Sequence, residues 1–113
     1  MIKDTVSFSD FQKLDLRIGK VIEVEDIEAS TSLIRMKVDF GSDYNIHTIL
    51  AGVKKWYKPK DLKGKKFIFI ANLEPKKMMG EESQGMMLAC CDALDKPILL
   101  PVKSKIKEGT VIR

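Results

Sequence analysis

Between residues 15 and 50 apolar and polar positions alternate with a period of two, the pattern of strands that turn one face to a core. In the first run Leu16, Ile18, Ile22 and Val24 share one face, and Asp15, Arg17, Glu23 and Glu25 share the other. Lys20 interrupts the apolar face, and Gly19 beside it predicts a bend or bulge in one long strand. The next run is cleaner: Ile34, Met36, Val38 and Phe40 alternate with Arg35, Lys37 and Asp39. GSDYN at 41–45 is rich in turn formers. Residues 15–50 therefore read as a three-strand meander whose third strand runs near Asn45–Leu50. Ahead of it, FSDFQKL at 8–14 reads as one helical turn capped by Ser9, with Phe8 and Phe11 anchored on the core.

Past residue 50 the period changes. In AGVKKWYKPKDLKGKK, Pro59 suits the first position of a short helix that Gly64 ends. Phe67–Ala71 is apolar on both faces, which predicts a central or covered fourth strand. Met86–Cys91 reads as a fifth strand, and the proline-bounded PILLPV as an edge. The tail KIKEGTVIR holds one turn at Glu108-Gly109 and a final apolar pair. Strands of uneven length, a kinked first strand and a small helix between strands three and four suggest an all-β five-stranded Greek-key barrel, the OB-fold layout.

Length and composition narrow the class. The 113 residues, 44% hydrophobic and 32% charged, suit one compact domain over 1–113 with its own core. The longest apolar stretch, MMLACC, is far too short to span a bilayer, and the acid-bearing N-terminus does not read as a secretory signal. A soluble, cytoplasmic protein is expected. Cys90 and Cys91 are adjacent, so in a strand they point to opposite faces, and they read as small strand residues rather than a redox pair. His47, the single histidine, has no companions at ligand spacing, and neither metal nor cofactor is expected. The acids around the first strand are matched by no base or nucleophile motif, so no catalytic residues and no enzyme activity are expected.

Charge changes the picture more. Residues 1–53 carry six basic and nine acidic side chains, whereas residues 54–77 carry nine lysines against Asp61 and Glu74, a net +7. Such concentration is the footprint of a polyanion site, with a solvated lysine face as the plainer alternative.

At this point the stretches DLRIGKVIEVE (15–25), MKVDFG (36–41), ILAGVKKWYKP (49–59), LKGKKFIFIANLEPKKMMGEESQGMMLA (62–89) and KEGTVIR (107–113) together resemble one family. It is the tRNA-binding domain found at the C-terminus of bacterial methionyl-tRNA synthetases, as a synthetase beta subunit or free-standing tRNA-binding protein, and in the endothelial monocyte-activating polypeptide. NLEPKKMMGEESQGMMLA at 72–89 is its most specific part. The resemblance implies an OB-fold with a C-terminal extension, about 92–113, through which free-standing members form homodimers. It also implies tRNA binding by shape, largely without reading sequence, alone or beside methionyl-tRNA synthetase. A related branch of the fold is an export-associated chaperone that binds peptides, and this is the alternative reading. The chain departs from the family at 27–33, where IEASTSL stands in place of a His-Pro-Asn-Ala-Asp-Lys-Leu stretch and retains only Leu33.

Candidate contacts follow. Lys54, Lys55 and Lys65, from the lysines flanking the short helix, and Lys76 and Lys77, beyond strand four, supply charge for phosphates along one continuous patch. Asn72, Ser83 and Gln84 offer amide and hydroxyl groups for RNA backbone and 2′-hydroxyls. Gly80 and Gly85 allow close approach, Met86 is expected to face the ligand, and Met79 and Met87 are expected to pack. Trp56 is read as covering the barrel end beneath the helix, with base stacking as its alternative.

Overall fold

The computed structural model describes all 113 residues. Its centre is an antiparallel sheet rolled into a nearly closed barrel. The barrel strands are β1 (Leu16–Asp26), β2 (Ile34–Asp39), β3 (Ile46–Ala51), β4 (Lys66–Ile70) and, after two intervening short strands, β7 (Met86–Met87). Their spatial order is β3-β2-β1-β4-β7. Strand β1, by far the longest, pairs with β2 along its C-terminal part and with β4 along its N-terminal part, so it bends round the barrel corner. The all-β barrel expected from the meander and the central fourth strand is therefore present, with α2 (Pro59–Leu62) between β3 and β4.

The core is built from the clean alternation. Ile34, Met36, Val38 and Phe40 are fully buried and meet Ile49, Leu62, Phe67 and Phe69. Burial of each such side chain stabilises by about 1.5–3 kcal/mol. Two details of β1 differ from expectation. The register shift lies between Val21 and Glu23, not at Gly19. Gly19 instead packs against the core: a Cβ there would sit 2.4 Å from Val38 Cγ1 and 2.8 Å from Phe69. Consequently Gly19 and Val21 point inward, while Leu16, Ile22 and Val24 are only half-buried. A period-two reading cannot register a glycine as an inward residue, because it carries no hydropathy.

The ends also differ. Helix α1 (Phe8–Gln12) is capped by Ser7, whose Oγ accepts the Asp10 amide at 3.0 Å, rather than by Ser9. Phe8 and Phe11 do not anchor on the core; their rings stack on each other with centroids 6.2 Å apart, and Phe8 is 71% exposed. The expected fifth strand, 86–91, breaks at Leu88, whose amide donates to Ile68 O, and its second half leaves the barrel. That half is β8 (Ala89–Cys91), which forms a hairpin with β9 (Pro97–Leu99). Cys90 and Cys91 end β8 as unpaired, exposed thiols. The final pair forms β10 (Val111–Ile112), held against the start of β1.

The distinctive block at 72–89 contains a hairpin that hydropathy did not reveal: β5 (Lys76–Met78) with β6 (Glu81–Ser83). Its two-residue turn is Met79-Gly80, with φ of 52° and 76°. Positive φ at both central positions is the geometry that matches strand twist in tight hairpins. Met79 is thus an exposed turn residue and not a packing one, whereas Met87 is buried as expected.

Two ionic clusters hold the ends of the barrel. Arg17 reaches Asp15, Asp43 and the Gly109 carbonyl, and the Tyr44 hydroxyl donates to Asp15. The Arg17 guanidinium, with help from Tyr44, holds the Asp15 carboxyl below its usual range, and the same carboxylate pushes the Tyr44 phenol up. At the opposite side Arg35 bridges Glu25 and Glu81, pinning the β5–β6 hairpin to β2. No helix is long and apolar enough to cross a membrane.

Candidate nucleic-acid interface

The candidate residues divide sharply by what their polar atoms already touch. The free edge of β3 faces the segment 83–85, and the barrel closes there through side chains as well as backbone. Ser83 is buried, and its hydroxyl accepts the Leu50 amide at 3.0 Å while donating to Gly85 O at 3.1 Å. Gln84 accepts the Thr48 amide on Oε1 at 3.0 Å, and its own amide donates to Thr48 O at 2.8 Å. Its carbonyl also lies 2.8 Å from His47 Nδ1. Gly85 has φ of 141°, and a Cβ there would meet Ile70 O at 2.8 Å, so only glycine lets the chain pass. Asn72 joins the helix exit to the barrel: its Oδ1 accepts the Asp15 amide and its Nδ2 donates to Lys13 O, both at 2.8 Å.

The lysines divide in the same way. Lys54 donates to Ile27 O at 2.9 Å and Ser30 O at 2.8 Å, so it clamps the divergent IEASTSL loop, where Ser30 Oγ in turn accepts the Ser32 and Leu33 amides. Lys66 is nearly buried and fastens the C-terminal extension to β4 through Ser104 O, Ile106 O and Glu108. Lys55, Lys58, Lys60, Lys63, Lys65, Lys76 and Lys77 are exposed and carry no ion pair. Both barrel arginines are neutralised by carboxylates, so free positive charge on this side comes from lysine.

Lys65 and Lys76 lie in different hollows rather than side by side. The β8–β9 hairpin separates two hollows. On one side a shallow cleft of about 390 Å³ is lined by Trp56, Tyr57, Lys65, Phe67 and Leu99 among others. On the other a groove of about 480 Å³ lies between β3 and the β5–β6 hairpin, with Leu50, Val53, Met78, Met86 and Met87 on its walls and Lys76 and Glu74 also lining it. Met86 is 52% exposed. Trp56, read as covering the barrel end, is 41% exposed. The fixed turn beneath it was not visible in the sequence, although the pairing of an aromatic with flanking lysines was.

The family model described as "Putative tRNA binding domain" matches residues 16–111. The chain belongs to the tRNA-binding domain family. Its relatives in that family include the methionine–tRNA ligase of Pyrococcus horikoshii, 49% identical over 108 residues that make up 96% of this chain and 14% of that protein. The methionine–tRNA ligase of Clostridium acetobutylicum is 41% identical over 113 residues, 99% of this chain and 17% of that protein. The chain thus spans a small part of the length of these curated relatives. Among solved structures, a MetRS-related protein from Pyrococcus horikoshii superposes with a TM-score of 0.91 at 35% identity, covering 98% of this chain and all of that one. The CsaA chaperone of Bacillus anthracis superposes at 0.86 with 31% identity, covering 97% of this chain and all of that one. Chains similar to this one thus occur both as a small part of methionine–tRNA ligases and as solved structures of about its own size.

Proposed function

We propose that the chain binds tRNA by shape and backbone charge, without catalysing a reaction itself, as a free-standing protein or as a subunit that acts beside methionyl-tRNA synthetase in the cytoplasm. Membership of the tRNA-binding domain family carries this reading. The set of exposed, unpaired lysines supports it, because phosphate neutralisation supplies most of the affinity of such complexes. Of the expected contacts, Lys55, Lys65, Lys76, Lys77 and Met86 are free to meet RNA. Lys54, Asn72, Ser83 and Gln84 already use polar atoms inside the fold, and their proposed part is to hold the surface in shape. As a subunit the chain would raise a synthetase's hold on tRNA through effective concentration.

Filter binding of tRNA at about 50 mM and 200 mM salt tests the reading. A complex that weakens steeply with salt is expected, and no complex at the lower salt would refute it. Homodimerisation through residues 92–113 is part of the proposal, since Leu94, Ile98, Leu100 and Val111 are exposed apolar side chains there. Light scattering that reports a monomer at micromolar concentration would remove that part.

The likeness to CsaA and the methionine-walled groove favour one second reading, a chaperone-like protein that takes apolar peptide into that groove. Binding of unfolded protein that survives high salt, with no affinity for tRNA, would put this reading in place of the first.

A further inference from the structure

The geometry points to Trp56 as a stacking platform for one unpaired nucleobase of the bound RNA, with Lys65 beside it for the adjoining phosphate. The inference rests on the tRNA-binding reading and names a contact within it. Trp56 has a large apolar surface to hide, yet 41% of it is exposed. It is not loose. Its turn is fixed by the Trp56 and Tyr57 amides, each donating to Val53 O at 3.0 Å, with Val53 buried below. Tyr57 is tied in turn to the β8–β9 hairpin by its hydroxyl, which donates to Pro97 O at 2.9 Å. The indole therefore stands on a rigid base at the mouth of the cleft floored by Phe67.

Ile98, Leu99 and Pro101 of the extension line the cleft as well, and charged groups join them there. Lys65 lines the same cleft, and its carbonyl accepts the Val21 amide at 2.9 Å, which fixes the position of its main chain against β1. Lys55 is adjacent in sequence and exposed. The one acid lining the cleft, Asp61, has its carboxylate on the Lys58 amide at 2.8 Å. An aromatic face with a cation at its edge is the arrangement that holds an unstacked base and its phosphate together, and it tolerates any base because every base has a π-face. The cleft is open and about 390 Å³ in volume, which admits a nucleotide but does not enclose one.

The chain has a single tryptophan, so its fluorescence reports this site alone. Titration with tRNA, and separately with a short single-stranded oligoadenylate, is expected to quench it saturably. In filter binding Trp56→Ala is expected to weaken tRNA binding by about 5- to 100-fold with the salt slope unchanged, and Trp56→Phe to restore most of the loss. Lys65→Gln is expected to lower that slope by about one. A merely structural tryptophan would move thermal stability instead, and Trp56→Ala is expected to melt near the unchanged chain. The inference is overturned if the unchanged chain binds tRNA and Trp56→Ala binds it equally well, or if tRNA binding leaves the fluorescence unaltered. Absence of tRNA binding by the unchanged chain would overturn the underlying reading as well, which separates the two failures.

Discussion

Ser83 and Gln84 face the edge of β3 and bond to its backbone, with Gly85 packed against Ile49 beside them, whereas Lys55 and Lys65 hold their side chains in solvent and Trp56 stands partly exposed on a fixed turn. Both segments belong to the stretches that make the chain resemble its family. The first is distinctive because closing a small barrel without a full ladder requires particular donors, acceptors and a glycine. The second is distinctive because it presents charge and an aromatic face outward. Distinctiveness in a sequence thus has two physical origins, and the atoms already satisfied inside the fold tell them apart. The same division runs through neighbouring lysines: Lys54 and Lys66 bind carbonyls, and Lys55 and Lys65 do not.

Substitutions should break the two regions differently. Gly85→Ala is expected to cost the most, about 3 kcal/mol, because it forces a Cβ onto Ile70 O at a φ that side chains resist; denaturant unfolding reads this directly. Lys66→Met should cost about 2 kcal/mol by cutting the charged donor from the Ser104 and Ile106 carbonyls. Faster amide exchange over 103–112 than in the barrel would confirm that the extension loosens first. Ser83→Ala should cost about 1–2 kcal/mol, since the Leu50 amide then loses its partner. Lys55→Gln should change stability by less than about 0.5 kcal/mol yet lower the tRNA salt slope by about one. A seam variant that binds tRNA poorly while folding normally would erase the contrast.

The smallest effect concerns pH. The Asp15 carboxyl is held low by Arg17 and then Tyr44, so its folded value lies below its unfolded one. Its stabilising contribution is therefore full above about pH 4 and is lost as pH falls through the lowered value. Asp15→Asn should remove that share of the acid-side loss in melting curves recorded between about pH 5 and pH 2.

The barrel was largely legible beforehand. Ile34, Met36, Val38 and Phe40 alternate without interruption, and each went into the core. Pro59 and Gly64 bounded the short helix because both act through local backbone geometry. Where the pattern failed, a residue's environment was decided by distant partners. Gly19 gave no hydropathy signal, although its missing side chain lets β1 approach Val38 and Phe69. Phe8 and Phe11 looked like anchors, but α1 buries none of its residues and the two rings stack on each other. The β5–β6 hairpin shows little in the hydropathy because its strands are three residues each and mostly polar, held to the barrel by the Arg35–Glu81 pair and the Ser83–Leu50 hydrogen bond.

For the candidate site the boundary falls elsewhere. The amino-acid sequence alone determined the family, the concentration of lysine in 54–77 and the pairing of Trp56 with flanking cations, since composition and local order carry all three. Only the tertiary structure decided which lysines remain free, that Ser83 and Gln84 serve the seam, and that Lys65 and Lys76 line separate hollows. Those outcomes depend on carbonyls and amides far away along the chain, such as Ile27 O for Lys54 and the Leu50 amide for Ser83. A side chain's chemistry is written locally, but whether that chemistry is still available to a ligand depends on what folding has already brought to it.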